Sequence, residues 1–444
     1  MNHGINEAPV DKWIIDPIQK FIGNSSTSGI ILFGSAVLAL IVANSPWSDA
    51  YHQLWKTEFS IGFTNFMITK DLHHWINDGL MAMFFFVVGL ELKREIIAGE
   101  LSKPKDAVLP IVAALGGMIV PAAVYLLFNP SGEPSNGWGI PMATDIAFAL
   151  GVVYLLGDRV PFTLKIFLTV LAIVDDIGAV LVIAFFYTSH IDFTSLLMGA
   201  GFMAVLIVSN LIGVRSTLFY AIIGIGGLWL AFLMSGVHAT IAAVLAAFTI
   251  PASTKISEEY YSKRLNELMA LFKAAKPSDM PTVSVEQYHI LEEVGNISRK
   301  ALTPLQRLEH SMHPMVIFLI MPIFAFSNAG VSLTGDLFEQ LISPVSAGVF
   351  SGLLLGKILG IVGLSLLLLR IGWASLPEGM TKMHLLGTAF LAAIGFTMSL
   401  FITGLAFSNE EYELQAKLGI LVASLVASIA GFIIIRNAGN PLRR

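Results

Sequence analysis

Leu171-Ala172-Ile173-Val174-Asp175-Asp176-Ile177-Gly178-Ala179-Val180 sets two adjacent carboxylates in the middle of an apolar run. Nine uncharged residues separate Asp175 from Lys165, and fifteen separate Asp176 from Asp192. At a helical rise of about 1.5 Å per residue, the pair lies roughly 15 Å from either edge, near the middle of a ~30 Å hydrocarbon layer. A carboxylate at that depth costs several kcal/mol, which marks it as a functional site. The competing reading is a buried structural Asp–Asp pair in a soluble core, and the rest of the chain argues against it.

Of the 444 residues, 55% are hydrophobic and 13% charged, with a mean hydropathy of +0.76. A soluble domain carries about 25% charged residues, so the chain reads as an all-α polytopic membrane protein. A net charge of −5 is too mild to imply a nucleic-acid partner. The absence of cysteine excludes disulfides, thiolate metal sites and a cysteine nucleophile. The first 24 residues lack the apolar core of a signal peptide, so the N-terminus is expected to be mature and cytosolic.

Apolar runs predict about twelve spans, near 27–45, 72–97, 107–128, 140–157, 162–187, 194–213, 217–233, 236–250, 314–329, 345–369, 384–407 and 415–436. The split between the seventh and eighth rests on Ser235-Gly236. Phe59, Ile61 and Phe63 alternate within 49–71, which reads as an exposed hairpin rather than a span. With both termini cytoplasmic, 22 of the 26 basic residues fall on the cytoplasmic side. Lys56, Lys70 and Lys417 fall on the other side, and Lys357 lies within span ten. The expected organisation is a cytoplasmic tail over 1–26, spans one to eight over 27–250, a cytoplasmic insertion over 251–313, spans nine to twelve over 314–436 and a second cytoplasmic tail over 437–444. The insertion reads as a solvated connector, with an amphipathic helix over 285–301 that turns Ile290, Leu291, Val294 and Ile297 to one side.

Two spans are interrupted in their apolar interior. The fourth carries Pro141 and Thr144, and the eleventh carries Gly395 and Thr397. Proline removes a backbone donor and glycine loosens a helix, so both spans are expected to break. They are the middle members of two triplets, spans 3–5 and 10–12, which start on opposite sides of the membrane. That pattern predicts inverted-topology repeats with a site at the midplane.

Six ionisable residues fall inside or at the edge of spans: Asp78, Glu91, Asp145, Asp175, Asp176 and Lys357. Asp175 and Asp176 stand about 100° apart on a helix, so they cannot face the same point. Their oxygens suit a small hard cation and can hold a proton instead, but not both together. Competition of that kind is the chemistry of an exchanger. Asp145 follows the break in span four, where a carboxylate would neutralise the positive ends of helix dipoles, a role placed ahead of cation ligation. Lys357 is expected to compensate dipole ends in span eleven or to pair with Asp175; binding an organic anion is the remote alternative. Glu91, Arg94 and Glu95 share one face of span two, and Glu309, His310 and His313 precede span nine on the same side. Each could equally be an interfacial charge at a helix end. His238 opens span eight at the outer face and is ambiguous alone.

These motifs together resemble the NhaA family of bacterial Na+/H+ antiporters over nearly the whole chain outside the insertion and the N-terminal tail. The resemblance is carried by Phe84 to Glu95, Ala143 to Leu150, Asp175-Asp176, Ser235 to Thr240, Arg307-Leu308-Glu309-His310, Phe324 to Val331 and Gly395 to Ser399. It implies electrogenic, pH-regulated exchange of intracellular Na+, with Li+, for external H+ in the bacterial inner membrane. No cofactor is implied. Asp176 would be the main cation ligand, Asp175 its partner, and Thr144, Asp145 and Gly395 would belong to the crossing of broken helices, with Thr144 also near the Na+. Lys357 would serve voltage-generating exchange, and the second proton would ride on Asp175 or Lys357. Asp78 would line the ion route, and Glu91, Arg94, Glu95, His238, Glu309, His310 and His313 would take part in the pH response. The family dimerises through an outer hairpin, here about 55–70. Gln306, where the family commonly has a basic residue, and the long insertion depart from the pattern. An intramembrane aspartyl protease is disfavoured, because no Asp has the Gly-x-Gly-Asp motif: Gly157-Asp158 and Gly335-Asp336 lack the upstream glycine. A cation channel would favour a symmetric ring of charges or carbonyls rather than one asymmetric site.

Overall fold

Apolar segments cross lipid only if their backbone groups are satisfied internally, and helices do this one segment at a time. In the computed structural model, which describes residues 25–63, 66–188, 191–276, 282–333 and 337–439, the apolar runs are accordingly helical. Eight helices are long and apolar enough to cross a membrane, and up to ten if each bent pair is one span. The first bent pair turns by 113°, so Ser48–Lys56 doubles away from the helix before it, whereas the second, Lys382–Ala392 with Phe396–Ala406, bends by only 42°. Two of the twelve expected spans stay outside this count. Ala239–Thr249 has only 11 residues, and the stretch ending in Met81–Ala98 carries Glu91, Lys93, Arg94 and Glu95. Gly236, at φ 80°, ends the helix before Ala239–Thr249 and makes the expected split.

The two triplets are present, each with its middle member interrupted. One comprises Pro104–Phe128, Glu133–Leu155 and Phe162–Phe186; the other comprises Pro344–Ile371, the bent pair and Glu410–Ala438. Their first members cross in close contact. Gly348, Gly352, Gly356 and Gly360 recur every four residues along one stripe. A Cβ on Gly352 would come within 2.7 Å of Pro141 Cβ, one on Gly356 within 2.5 Å of Pro121 Cα, and one on Gly360 would collide with the backbone of Gly116. Small residues at this spacing let helix backbones approach in a medium where apolar burial gives little drive. A wide π-helical turn, Gly352–Gly356, directly precedes Lys357 and sets the phase of its side chain.

The sole β element among the described residues is the antiparallel pair β1 (Glu58–Phe63) and β2 (Phe66–Asp71), in register Glu58↔Asp71 to Phe63↔Phe66. It occupies only the second part of the region expected as a hairpin over 49–71, because residues up to Lys56 form the helix Ser48–Lys56 instead; the turn at 64–65 lies outside the described residues.

The insertion is more ordered than a connector. Glu258–Ala274 and Val285–Ala301 form a helical hairpin around Leu268, Ala275, Ile290 and Ile297. Arg264 bridges the two helices, 2.5 Å from Glu293 and 2.9 Å from Glu267, and its hydrogen bonds to those carboxylates push its pKa up. Lys255 N–H donates to Lys300 C=O at 3.1 Å, so the hairpin starts and ends at one point. Ile290 and Ile297 are buried as expected and Val294 packs against them, but Leu291 lies on the flank, 46% exposed. The expected tails at 1–24 and 440–444 fall outside the described residues, and the last helix runs on to Ala438.

Candidate functional site

A broken helix exposes backbone donors and carbonyls that have no partner along the chain, and in an apolar interior each must find one. Here the two broken spans satisfy each other. Glu133–Met142 ends at Pro141-Met142, residues 143–145 run extended, and the helix resumes as Ile146–Leu155. In the other span, Lys382–Ala392 stops and Phe396–Ala406 resumes after Gly395. Asp145 Oδ1 accepts from Phe148 N–H at 2.9 Å, capping its own helix, while Oδ2 accepts from Thr397 N–H at 3.1 Å and from Thr397 Oγ1 at 2.5 Å. One carboxylate thus faces the positive ends of two half-helices.

The carbonyl ends are served reciprocally. Asp145 N–H donates to Ile394 C=O at 2.7 Å, and Ser399 Oγ donates to Ile140 C=O at 2.8 Å. Phe396 N–H, beyond the reach of Asp145, donates to Ser424 Oγ of the last helix at 3.2 Å. Gly395 is required by packing: a Cβ there would lie 2.8 Å from Leu353 Cδ2. The bonds of Ser399 and Ser424 escaped sequence reading because their partners are 259 and 28 residues away.

Beside this crossing lie the two aspartates of Phe162–Phe186, each 1% exposed. Lys357, fully buried, donates to Asp175 Oδ2 at 2.6 Å and also to Thr144 Oγ1. Thr144 Oγ1 is in turn 2.7 Å from Asp175 Oδ2 and 2.8 Å from Ala392 C=O; its single hydrogen serves one of them at a time. The structure therefore brings Thr144, Asp175 and Lys357 into one cluster. Of the three readings of Lys357, it shows the pairing with Asp175. Asp175 Oδ1 and both oxygens of Asp176 are buried without a hydrogen-bond partner among the described residues. Three bare carboxylate oxygens in an apolar interior are costly unless they hold a proton or a cation.

A cavity of about 890 Å³ has walls that include Ile146 and Ile173, close in sequence to Asp145 and Asp175, though no residue of the cluster itself lines it. Glu91, Arg94, Glu309, His310 and His313 line its mouth, and Ile146, Ala147 and Ile173 line its depth. Arg94 is 2.7 Å from Glu309 and 2.9 Å from Glu95, and His313 Nε2 stands 3.6 Å from Glu91. These six residues form one group. His238 does not join it: its Nε2 bonds Tyr187 C=O at 3.0 Å, beyond the far end of Phe162–Phe186. Asp78 lies half-buried in the π-helical turn Trp75–Leu80, where its carbonyl accepts from Trp229 Nε1 at 3.2 Å.

A family model described as Na+/H+ antiporter 1 matches residues 19–435. The chain is 48% identical over 434 residues to the Na+/H+ antiporter NhaA of Oleidesulfovibrio alaskensis, an alignment that covers 98% of this chain and 96% of the relative. It is 46% identical over 445 residues to the Na+/H+ antiporter NhaA 1 of Saccharophagus degradans, covering 98% and 96%. It is 49% identical over 417 residues to the Na+/H+ antiporter NhaA of Wolinella succinogenes, covering 94% and 92%.

Proposed function

The chain belongs to the NhaA family of Na+/H+ antiporters, and from that premise we propose that Asp176 is its principal Na+ ligand and Asp175 the second. As a family member it is a secondary active transporter rather than an enzyme, and Na+ and H+ are its cargo, with no resident cofactor. The single observation that carries the site assignment is the set of three buried carboxylate oxygens without partners, two on Asp176 and one on Asp175. Thr144 adds a hydroxyl oxygen beside them. Li+, smaller and equally hard, fits the same donors.

In this reading, protonated Asp176 and the Lys357–Asp175 pair are the resting state. Na+ entering through the cavity displaces the proton of Asp176 and draws Asp175 away from Lys357. The released ammonium, left in an apolar interior without its counter-ion, gives up a proton as well. More than one proton then leaves for each Na+, so exchange moves net charge. Asp145 holds the two half-helices together and does not bind the ion. Asp78 lies on the route beyond the site. Glu91, Arg94, Glu95, Glu309, His310 and His313 adjust the cavity mouth to pH; His238 acts from the other end.

The basic-residue bias supports an orientation with the cavity, the insertion and both termini in the cytoplasm of a bacterial cell and the hairpin outside. An exposed two-stranded edge is a ready surface for a second copy, which supports a homodimer through the hairpin. The reading is tested by dequenching of a pH dye in everted vesicles on adding NaCl, with alkaline phosphatase fusions after Asn136 and Pro277 for the topology. Fluorescence that does not respond to Na+ would reject exchange; phosphatase activity at the second fusion would reject the orientation.

A further inference from the structure

At the hairpin end of the bundle, three side chains close a hydrogen-bonded ring between the second and ninth spans. His73 Nε2 lies 3.1 Å from Asn328 Oδ1, Asn328 Nδ2 donates to Asn77 Oδ1 at 3.2 Å, and Asn77 Nδ2 lies 3.4 Å from His73 Nδ1. The sense of the ring is dictated from outside it. Asn328 Nδ2 also donates to Phe324 C=O at 3.1 Å, which turns the amide nitrogen toward Phe324 and the amide oxygen toward His73. His73 must then carry its hydrogen on Nε2 and accept at Nδ1 from Asn77.

Only a neutral imidazole closes this ring. A second proton, on Nδ1, would face the Asn77 amide nitrogen, donor against donor. Turning the Asn77 amide over would satisfy His73 but set its nitrogen against Asn328 Nδ2. One bond of the ring is lost either way. The charged groups facing His73 are Asp71 at the end of β2, Glu413 and Lys417 on the last helix, and Asp78 on its own turn. Asp71 is engaged by His74, whose backbone N–H it accepts at 2.7 Å, and Glu413 and Lys417 pair with each other at 2.7 Å. The ring also touches one of the broken spans. Asn77 Nδ2 is 3.9 Å from where a Cβ on Gly404 would sit, in the half-helix Phe396–Ala406, and Asn77 directly precedes Asp78.

We propose that His73, Asn77 and Asn328 form a proton-operated latch on the hairpin side of the ion route, shut while His73 is neutral and released when it takes a proton from that side. Release frees Asn77, and with it the turn that carries Asp78, from span nine. This deepens the exchange reading above and rests on it. Protons are the ions that the exchanger draws in from the hairpin side, so the latch opens that side when its co-ion is plentiful.

The test uses the full-length protein in proteoliposomes, with pH set separately on the two sides and saturating Na+ on the cavity side. Each rate is divided by that of His73→Leu at the same pH, which cancels the common effect of protons as substrate. The wild-type ratio is expected to climb from about 0.1 toward 1 as hairpin-side pH falls through the imidazole range. That tenfold change equals roughly 1.4 kcal/mol, the size of one buried hydrogen bond. His73→Gln keeps a neutral donor toward Asn328 and cannot charge, so its ratio should stay near 0.1 at every pH. A wild-type ratio independent of hairpin-side pH overturns the latch. Should the leucine variant not insert, the cysteine-free chain allows His73→Cys with Asn328→Cys. Joining the two by a short bifunctional thiol reagent should stop exchange; exchange at the unjoined rate overturns the proposal. Loss of Na+-driven proton movement in the wild type would fail the exchange reading itself, which separates the two failures.

Discussion

Replacing Asp145 tests whether the broken helices are held by a single carboxylate. In Asp145→Ala, Phe148 N–H and Thr397 N–H lose their acceptor in a site with 0% exposure. A buried donor left unsatisfied costs about 1–3 kcal/mol, so the two amides together cost about 2–6 kcal/mol. The Thr397 hydroxyl can rotate toward another acceptor and adds little. Asp145→Asn keeps one amide oxygen, can serve one of the two amides and should cost about half as much. The assay pairs thermal unfolding in detergent with Na+ titration calorimetry on both variants. The expected order of stability is wild type, then Asn, then Ala, with Na+ binding retained in whatever fraction stays folded. An Asn variant with an unchanged unfolding midpoint but Na+ binding abolished would make Asp145 a ligand and refute the capping role.

Three further outcomes follow from the same geometry. Lys357→Ala removes the ammonium that pairs with Asp175 at 2.6 Å, so residual exchange should no longer respond to an imposed membrane potential; exchange that stays fully electrogenic would exclude Lys357 as a proton carrier. Glu309→Gln frees Arg94 from a half-exposed ion pair worth about 0.2–1 kcal/mol, so the pH profile should move by at most about 0.7 pH unit, with the alkaline rate unchanged at saturating Na+. The shift should be toward lower pH, because one fewer negative charge stands in the mouth against loss of further protons; a profile that overlays the wild type at both limiting and saturating Na+ leaves competition at the aspartates as the whole pH response. Excising 256–299 and joining Lys255 to Lys300 through a short Gly-Ser link should leave the alkaline exchange rate intact, since those two backbones already touch at 3.1 Å; loss of exchange in an inserted protein would make the hairpin part of the transport machinery.

Asp175 and Asp176 were legible because two adjacent carboxylates interrupt a long apolar run, and the breaks at Pro141 and Gly395 because backbone chemistry is local. What could not be read was which groups meet across the break. Asp145 was legible as a dipole partner, but its service to two helices depends on Thr397, 252 residues away, and no local pattern records that. On sequence Lys357 could compensate dipole ends, pair with Asp175 or, remotely, bind an organic anion; only the fold places it beside Asp175. The glycine stripe at 348, 352, 356 and 360 was present as an i, i+4 repeat, but its meaning depends on Gly116 and Pro121 of another helix. In the insertion, Tyr261, Leu265, Leu268 and Phe272 sit at helical spacing within a polar, charged stretch, and that polarity hid a small core. His238 shares a titratable ring with His310 and His313 and nothing else; residue type does not tell which end of a bundle a side chain occupies.

The account rests on Asp176 as the group over which Na+ and protons compete. The most direct measurement is calorimetric Na+ titration of wild type and Asp176→Asn in two buffers of different ionisation enthalpy, which yields Na+ affinity and protons released together. The wild type should bind Na+ with release of more than one proton per ion, and more weakly as pH falls. Asp176→Asn should give no Na+ heat at any pH while unfolding no earlier than the wild type, because neither Asp176 oxygen holds a structural hydrogen bond among the described residues. Wild-type Na+ affinity in a folded Asp176→Asn would contradict the account.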